Sequence, residues 1–393
     1  MTHFNSSANA VVIVAAKRTP IGSLSGALAT LSAPELGSYA HKAIFSELKE
    51  AFSPADSDEV LMGCVLQAGI GQAPARQSSL GAGIPSHVST ITLNKMCGSG
   101  LQAVMLAHDM ICAGSRNIIL AGGMESMTQA PYLLKKARNG YRLGHGEVLD
   151  HMFLDGLEDA YQKGKPMGYF AENTARELRL SREAQDEFAL TSLNRAIYAT
   201  EKGLFHAEIT PVNDITQDEG PNPAKREKIT RLKPVFAADG TITAANASSI
   251  SDGAASLLIM RANEAEGKAL KPLATIVAHS THAQAPEHFT KAPIGAIEKV
   301  LKKSNWSLDS VDLFEINEAF AVVVLATMEA LKIPHEKVNI HGGACALGHP
   351  IGASGARILV TLIHALKARQ LKRGVATLCI GGGEAVAIAI EVI

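Results

Sequence analysis

Cys97 stands where an apolar run gives way to glycines, in the stretch Asn94-Lys95-Met96-Cys97-Gly98-Ser99-Gly100. Apolar residues at helical spacing follow over 101–111, so Cys97 is predicted at the N-terminus of a helix. Exposed N–H groups and the positive end of the helix dipole favour a thiolate over a thiol at such a position. Cys97 is therefore a candidate sulfur nucleophile, although a free cysteine is usually a buried, inert core residue.

Two further stretches hold reactive groups among glycines. His349 lies between Gly348 and Pro350. Because proline cannot continue a helix, this turn fixes the direction of the imidazole, which suits a general base, although a lone histidine is more often structural. Cys379 ends an apolar run and leads into glycines 381–383. Backbone N–H groups of such glycines are free to face a ligand oxygen.

Strands and helices alternate along the chain to hold these residues. Apolar and β-branched runs predict strands at 11–16, 59–67, 88–93, 117–122, 255–260, 274–280, 313–316 and 374–379. Periodic patterns predict helices between them at 32–48, 72–82, 101–111, 293–304, 318–332 and 356–369. Asn317 falls at a strand-to-helix junction, where asparagine ordinarily caps a helix. The alternation predicts an α/β protein with a mostly parallel sheet and helices on both faces.

Residues 127–250 interrupt this alternation with charge clusters and one helical segment, Ser181–Lys202. Long irregular segments inside a domain usually have a function, so we expect an inserted domain that covers a substrate cleft. An arm used for packing or assembly has the same sequence character.

The two ends of the chain repeat one pattern. Gly98-Ser99-Gly100 opens a helix that precedes a strand ending in Gly122-Gly123-Met124-Glu125, and Ala353-Ser354-Gly355 opens a helix that precedes a strand ending in Gly382-Gly383-Glu384. The chain is therefore interpreted as a duplicated α/β unit. Cys97, His349 and Cys379 would meet at related strand ends, where open α/β sheets usually bind ligands.

Composition excludes several classes of protein. The chain has 393 residues, 47% of them hydrophobic, and a net charge of −1, which predicts no nucleic-acid partner and no attraction to an anionic membrane. Its five cysteines form no C-x-x-C pair, so neither disulfides nor a metal site are predicted. The polar residues 1–9 carry no targeting signal, and no uncharged run reaches the roughly 18 residues of a membrane span. We expect a cytoplasmic protein.

Seven stretches of the sequence together resemble a known protein family, although any one of them alone would be a weak match. They are residues 18–22, 94–100, 122–127, 246–255, 317–321, 342–357 and 379–383. They are similar to the thiolase family, specifically its acetyl-CoA acetyltransferase group, over essentially the whole length. The resemblance implies a thiolase fold, with duplicated βαβαβαββ halves in a five-layered αβαβα arrangement. Residues 1–126 would begin the N-terminal half, 127–250 would form the inserted loop domain, the N-terminal half would end near residue 270, and 271–393 would form the C-terminal half.

The resemblance also implies a function for each reactive residue. Cys97 would become acylated after activation by His349. Cys379 would exchange a proton with the α-carbon of the substrate. Asn317 would hold a water that, with His349, stabilises the enolate oxygen of the thioester. The backbone N–H groups of Cys97 and Gly381 would form a second oxyanion site.

The implied reaction is a reversible Claisen condensation of two acetyl-CoA to acetoacetyl-CoA and CoA. It would follow a ping-pong mechanism through an acyl-cysteine, and it would belong to lipid metabolism. A thiolate attacks thioesters well and leaves well, while carbanion formation needs a separate base, so two cysteines are chemically reasonable. No metal or organic cofactor is expected, because coenzyme A thioesters are the substrates. Members of the family form dimers or tetramers, so we expect a homotetramer or a homodimer.

Substrate binding is expected to use small and apolar residues. The residues matching the family's pantetheine channel are Ala244, Ser248, Ala319 and Phe320, and Met167 and Arg226 complete the expected coenzyme A contacts. The chain departs from many acetoacetyl-specific members at Pro166, where they have His, and at Phe289, where the biosynthetic type often has Met. Lys225 and Arg226 stand in for the arginine that often follows Asp-Glu-x-Pro.

These departures leave two other functions open. One is a 3-ketoacyl-CoA thiolase that acts on longer or branched chains. The other is a noncatalytic acyl-CoA carrier built on the same fold, although a carrier has no need of Cys97, His349, Asn317 and Cys379 together. The catalytic residues serve both directions of the reaction, so they do not distinguish synthesis from degradation.

Overall fold

The computed structural model describes residues 10–393, so the predicted absence of a targeting signal at 1–9 lies outside the described residues. The strands are β1 (Val11–Arg18), β2 (Gly22–Ser23), β3 (Glu59–Gly63), β4 (Ser89–Leu93), β5 (Ile118–Ser126), β6 (Tyr132–Leu133), β7 (Leu149–Asp150), β8 (Ser251–Arg261), β9 (Ala274–Ala283), β10 (Leu313–Ile316), β11 (Arg373–Ile380) and β12 (Glu384–Val392). The helices are α1 (Ala33–Leu48), α2 (Pro74–Gly81), α3 (Ser99–Cys112), α4 (Met167–Glu177), α5 (Arg182–Glu201), α6 (Ala262–Gly267), α7 (Ala292–Ser304), α8 (Ala321–Leu331), α9 (Ala344–Leu347) and α10 (Ser354–Arg369). None of these helices is both long and apolar enough to cross a membrane.

The large sheet runs in the order β4-β3-β5-β8-β1-β9-β12-β11-β10, with β2 paired to β8. Among its described pairings only β3–β4, β3–β5 and β10–β11 are parallel. The predicted mostly parallel sheet is therefore wrong. The physical reason is that β12 follows β11 through a glycine turn, and β8 follows β5 through the insertion, so neither strand returns through a helical crossover.

The two halves of the sheet repeat one topology. The first half has the order β4-β3-β5-β8-β1, and the second has β10-β11-β12-β9 at corresponding places. A single parallel bridge between Phe314 and Val338 stands where a counterpart of β4 would lie. The halves are joined at β1 and β9 by only two residue pairs, Val12–Thr275 and Ile13–Ala274. The duplication predicted from the glycine motifs is confirmed.

Five layers result from the placement of the helices. Helices α1 and α2 cover the outer face of the first half-sheet, and α7 and α8 cover that of the second. Between the half-sheets lie α3 and α10, whose apolar residues pack on both. A Cβ on Gly355 would stand 2.4 Å from the backbone nitrogen of Leu101, so the two central helices approach closely at glycine. This crossing lies just beyond the N-terminal turns that carry the reactive residues.

Capping residues account for two of the predicted helix starts. Ser32 caps α1 in a capping box with Glu35, as its side chain accepts from the Glu35 N–H. Ser181 caps α5 by accepting from the Ala184 N–H. The predicted start of α8 at residue 318 is wrong, because residues up to Phe320 are extended and the helix begins at Ala321.

Residues 127–250 connect β5 to β8 and contain the β6–β7 pair, α4 and α5. A buried ion-pair network attaches this segment to β1. The Arg18 guanidinium lies 2.6 Å from Glu208 and 2.7 Å from Asp218, and all three side chains are almost completely buried. Thr361 of α10 donates to the same Glu208 carboxylate at 3.1 Å. The segment is therefore fixed to both halves through charged groups.

Candidate active site

A tight turn places Cys97 between β4 and α3. Met96 has a positive φ of 47°, which is uncommon for a residue other than glycine. The turn is held by side chains, because Ser99 Oγ accepts from the Lys95 N–H at 2.8 Å and donates to the Met96 carbonyl at 2.7 Å. Helix α3 then begins at Ser99, two residues after Cys97. Strain of this kind is typical of functional sites.

The Cys97 thiol is neutral at rest. Burial raises its pKa to about 11, although the backbone N–H groups of Gly381 and of Cys97 itself approach the sulfur and lower the pKa. The nearby carboxylate of Glu125 raises it further. Burial therefore acts against the thiolate that the helix N-terminus is predicted to favour.

His349 is oriented by Ser354, a residue to which sequence analysis gave no function. His349 Nδ1 lies 2.6 Å from Ser354 Oγ, and Ser354 Oγ donates its own proton to the Pro350 carbonyl at 2.9 Å. The hydroxyl must therefore accept from Nδ1–H, which leaves Nε2 unprotonated. Burial, and to a lesser degree the charge of Arg357, lowers the pKa of His349 to about 3. The imidazole is a neutral acceptor, as a general base requires.

Asn317 lies beside that unprotonated nitrogen. Its Nδ2 is 3.5 Å from His349 Nε2, and its backbone N–H donates to the Thr377 carbonyl at 3.0 Å. Because α8 begins only at Ala321, Asn317 does not cap a helix. The side chain is buried, and its Oδ1 has no protein partner within the described residues. The amide is therefore free to bind a further polar group next to His349.

Cys379 is the penultimate residue of β11 and is 1% exposed. Burial raises the pKa of its thiol, and the proximity of Cys97 raises it further. The turn after it is made by Gly381, Gly382 and Gly383, of which the last two have positive φ values of 95° and 88°. At the start of this turn the Gly381 N–H is directed at the Cys97 sulfur.

A cavity of about 370 Å³ brings most of the predicted residues together. Its lining includes Cys97, His349, Cys379, Gly381, Ala244, Ser248, Ala319, Phe320 and Met167. The lining also includes Pro166, Phe289, Phe153 and Leu157. Arg226 does not line the cavity, because its Nε donates to Asn194 Oδ1 at 2.7 Å on the exposed surface. Lys225 likewise donates to the Gly220 carbonyl at 2.7 Å.

Glu125 fixes the loops around the cavity, and no local sequence pattern indicated this. Its carboxylate is fully buried and accepts from the backbone N–H groups of Val65 at 3.0 Å, Leu66 at 3.1 Å and Gly352 at 2.9 Å. It thereby connects the loop after β3 to the loop that follows His349. Burial raises the pKa of Glu125 to about 7, although the hydrogen bonds from these N–H groups lower it.

Comparison with known proteins agrees with this geometry. The family model described as Thiolase, N-terminal domain, matches residues 11–263, and Thiolase, C-terminal domain, matches residues 270–392. The chain belongs to the thiolase family. The predicted thiolase fold and an acyltransferase activity are thereby confirmed.

Relatives of this thiolase match over nearly their full length. It is 46% identical to "Acetyl-CoA acetyltransferase" of Cupriavidus necator, over 97% of this chain and 99% of the relative. It is 45% identical to "Probable acetyl-CoA acyltransferase" of Staphylococcus aureus strain COL, over 97% of this chain and 98% of the relative.

Two crystal structures share the fold of this thiolase. The Bacillus anthracis acetyl-CoA acetyltransferase aligns with a TM-score of 0.95 and 41% identity, over 99% of this chain and 100% of that one. The Acat5 thiolase from Ascaris suum in complex with coenzyme A aligns with a TM-score of 0.93 and 39% identity, over 98% and 100%.

Proposed function

We propose that this thiolase is an acetyl-CoA C-acetyltransferase, which interconverts two acetyl-CoA with acetoacetyl-CoA and CoA through an acyl-Cys97 intermediate. The observation that supports this most is the convergence of Cys97, His349 and Cys379 on one cavity, with two backbone N–H groups directed at the Cys97 sulfur. The names of the relatives with 45–46% identity, and the coenzyme A complex of the Ascaris suum thiolase, support the substrate class.

In the first half-reaction, His349 Nε2 takes the proton of Cys97, and the thiolate attacks the thioester carbonyl. The N–H groups of Cys97 and Gly381 face the oxygen that becomes negative, and such a donor contributes about 3 kcal/mol in comparable sites. The carbonyl re-forms as the coenzyme A thiolate leaves. This thiolate takes the proton held by the His349 imidazolium, so the step ends with acyl-Cys97 and with His349 and Cys379 both neutral.

In the second half-reaction, His349 Nε2 takes the proton of Cys379, and the thiolate formed in this way removes a proton from the α-carbon of a second acetyl-CoA. Burial raises the pKa of Cys379, so the thiolate is a strong base once formed. His349 and a water held by Asn317 stabilise the enolate oxygen. The carbanion attacks acyl-Cys97, and the departing Cys97 thiolate recovers its proton from His349. Both cysteines and the imidazole return to their starting forms.

Mass spectrometry of two variants tests this division of functions. We expect Cys97→Ala to give no acetyl adduct after addition of acetyl-CoA, while Cys379→Ser still acetylates Cys97 but condenses poorly. A full acetyl adduct on Cys97→Ala would exclude Cys97 as the nucleophile. Equal loss of acylation and condensation in Cys379→Ser would instead indicate a structural function for Cys379. A wild-type chain that binds acyl-CoA without forming an adduct would favour the noncatalytic carrier.

A 3-ketoacyl-CoA thiolase for longer chains is the second candidate, and the cavity lining favours it. Pro166 lines the cavity where many acetoacetyl-specific members have histidine, and Phe153, Leu157 and Ile351 add apolar walls. Thiolysis rates with 3-ketoacyl-CoA substrates of increasing length separate the two candidates. A maximum at four carbons supports the acetyltransferase, whereas a maximum at six carbons or more overturns it.

The remaining coenzyme A contacts and the oligomeric state belong to the same proposal. Ala244, Ser248, Ala319 and Phe320 form walls beside the reactive groups, which suits the thin pantetheine arm. Arg226 is an exposed residue of the inserted segment, residues 127–250, and we retain it as a contact for the nucleotide end of coenzyme A. We propose a homodimer or homotetramer, by similarity to the family.

A further inference from the structure

A second cluster of ligating side chains lies at the opposite end of α3 from Cys97. His108 and Asp109 stand in the last turns of α3, and His279 faces them from β9. The rise of an α-helix separates His108 from Cys97 by about 16 Å. None of the three residues lines the catalytic cavity. The cluster is therefore separate from the proposed acyl-transfer site.

The three side chains converge on one point. His279 Nε2 lies 2.8 Å from Asp109 Oδ1, and His108 Nδ1 lies 3.2 Å from the same oxygen. The two imidazole rings meet edge to face with 5.0 Å between their centroids. One ligand atom from each residue lies within 4.8 Å of the others. Ligands of a tetrahedral zinc ion are roughly 3.3 Å apart, so a small outward shift makes room for an ion.

Cys112 lies one turn further along α3 beside His108, although its sulfur is not among the three ligand atoms that converge. Its Sγ lies 3.6 Å from His108 Nε2 and 4.0 Å from His108 Nδ1. Residues four apart on a helix share one face, so His108 and Cys112 point the same way. Thiolate sulfur and imidazole nitrogen are the ligands that zinc prefers.

The charges around the cluster favour a cation. Among the described residues, the ionic partners of the Asp109 carboxylate are the two histidines alone. The nearest cations are held by backbone carbonyls, since Arg261 donates to Ile111 O and Lys303 donates to His279 O at 2.9 Å. A carboxylate between two imidazole rings offers three ligand atoms to a metal ion.

We propose that His108, Asp109 and His279, with Cys112, bind a borderline divalent cation, for which Zn²⁺ is the best match. Imidazole and thiolate select such ions, whereas Mg²⁺ and Ca²⁺ require mostly oxygen ligands. Binding replaces the two hydrogen bonds to Asp109 by metal bonds. Each imidazole exchanges protons with solvent so that its proton moves to the ring nitrogen away from the ion, and the Cys112 thiol releases its proton to solvent. The ion would link α3 of the first half to β9 of the second.

Equilibrium dialysis of the full chain against Zn²⁺ tests this, with bound zinc counted per chain. The catalytic thiols also bind zinc, so the readout is the difference between wild type and Asp109→Asn or His279→Gln. We expect each variant to lose one zinc per chain, or more than about tenfold in affinity at one site. The matched control is His206→Gln, which changes an exposed histidine outside the cluster and should retain the wild-type count.

Visible absorption spectroscopy with Co²⁺ tests the ligands in a second experiment. Co²⁺ replaces Zn²⁺ in tetrahedral sites, and we expect the wild-type chain to develop a visible absorption band that both cluster variants lack. Equal zinc counts and equal Co²⁺ spectra for wild type and Asp109→Asn would overturn the proposal and leave the cluster as a hydrogen-bonded group only. The Asp109 side chain is 57% exposed, so its replacement is not expected to unfold the chain.

Discussion

His349 and Cys97 are both held in their uncharged forms. Burial lowers the pKa of the imidazole to about 3 and raises that of the thiol to about 11. A stable thiolate–imidazolium pair would require the opposite order of the two pKa values. In the proposed mechanism the thiolate of Cys97 would therefore form only during attack, as His349 takes its proton. Such an arrangement protects the thiol from side reactions between turnovers.

The pH dependence of alkylation checks the state of Cys97. Between about pH 7 and 9 the rate of Cys97 carboxamidomethylation by iodoacetamide should rise about tenfold per pH unit, because the thiolate fraction rises by that factor below the thiol pKa. His349 stays neutral throughout this range and should add no inflection. Peptide mapping identifies the alkylated residue. A rate that is already constant below pH 7 would show a thiolate at rest and contradict the neutral pair.

Ser354 should act as a positioning residue for His349. Without its hydroxyl, Nδ1–H loses its acceptor, and the imidazole is free to adopt the other tautomer. We expect Ser354→Ala to slow acylation of Cys97 by about 10–100-fold with little change in KM for acetyl-CoA. Rapid-quench mass spectrometry measures the acylation rate. An unchanged rate, or a rise in KM alone, would show that the hydroxyl does not set the orientation of His349.

Local sequence patterns predicted most strands and helices, but not which distant segments of the chain they contact. The β-branched runs and the capping residues Ser32 and Ser181 identified most strands and helix starts. The start of α8 was missed because residues up to Phe320 pair with the inserted segment, where Ser248 N–H donates to Ala319 O at 2.9 Å. Contacts between distant stretches of sequence decide such boundaries.

The same reasoning explains which site residues were found. Cys97, His349 and Cys379 are visible because glycine-rich stretches surround them. The functions of Ser354 and Glu125 depend on hydrogen-bond partners that only the folded chain brings close, as with Glu125 and Gly352. The cluster of His108, Asp109 and His279 joins residues from the two halves of the chain. A search of the sequence for Cys-x-x-Cys pairs could not reveal it.

The crossing of α3 and α10 depends on glycine. A Cβ at Gly355 would stand 2.4 Å from Leu101 N and 2.8 Å from Leu101 Cβ, so Gly355→Ala must move a helix backbone. We expect a loss of about 1–3 kcal/mol in the free energy of unfolding, measured with urea. Gly267→Ala in α6 is the matched control, because its Cβ meets nothing within 4 Å. A Gly355→Ala variant as stable as that control would mean that the crossing adapts freely.

Buried charge attaches the inserted segment to the rest of the protein. Arg18 pairs with Glu208 and Asp218, and its guanidinium also lies 5.0 Å from the centre of the Phe205 ring. Two carboxylates would be left buried without their cation if Arg18 were replaced. Arg18 therefore holds two buried carboxylates of residues 127–250 against β1.

Replacing Arg18 should consequently destabilise the chain far more than breaking a surface pair. We expect Arg18→Met to lower the free energy of unfolding by about 3–5 kcal/mol. Lys291→Ala, which removes the partner of the exposed Glu177 at 2.8 Å, should cost less than about 1 kcal/mol. Urea titrations of both variants measure the difference. Similar losses for the two would show that Arg18 is compensated by solvent or by local rearrangement.

Each repeat of the chain contributes one of the two sulfur atoms at the cavity, Cys97 from the first and Cys379 from the second. Neither repeat alone holds both. A half-length ancestor would therefore have needed to associate with a second copy of itself, through the surfaces now occupied by α3 and α10, before this chemistry was possible. Fusion of two such genes would have turned an encounter between molecules into a permanent contact, and would have allowed the two thiols to diverge.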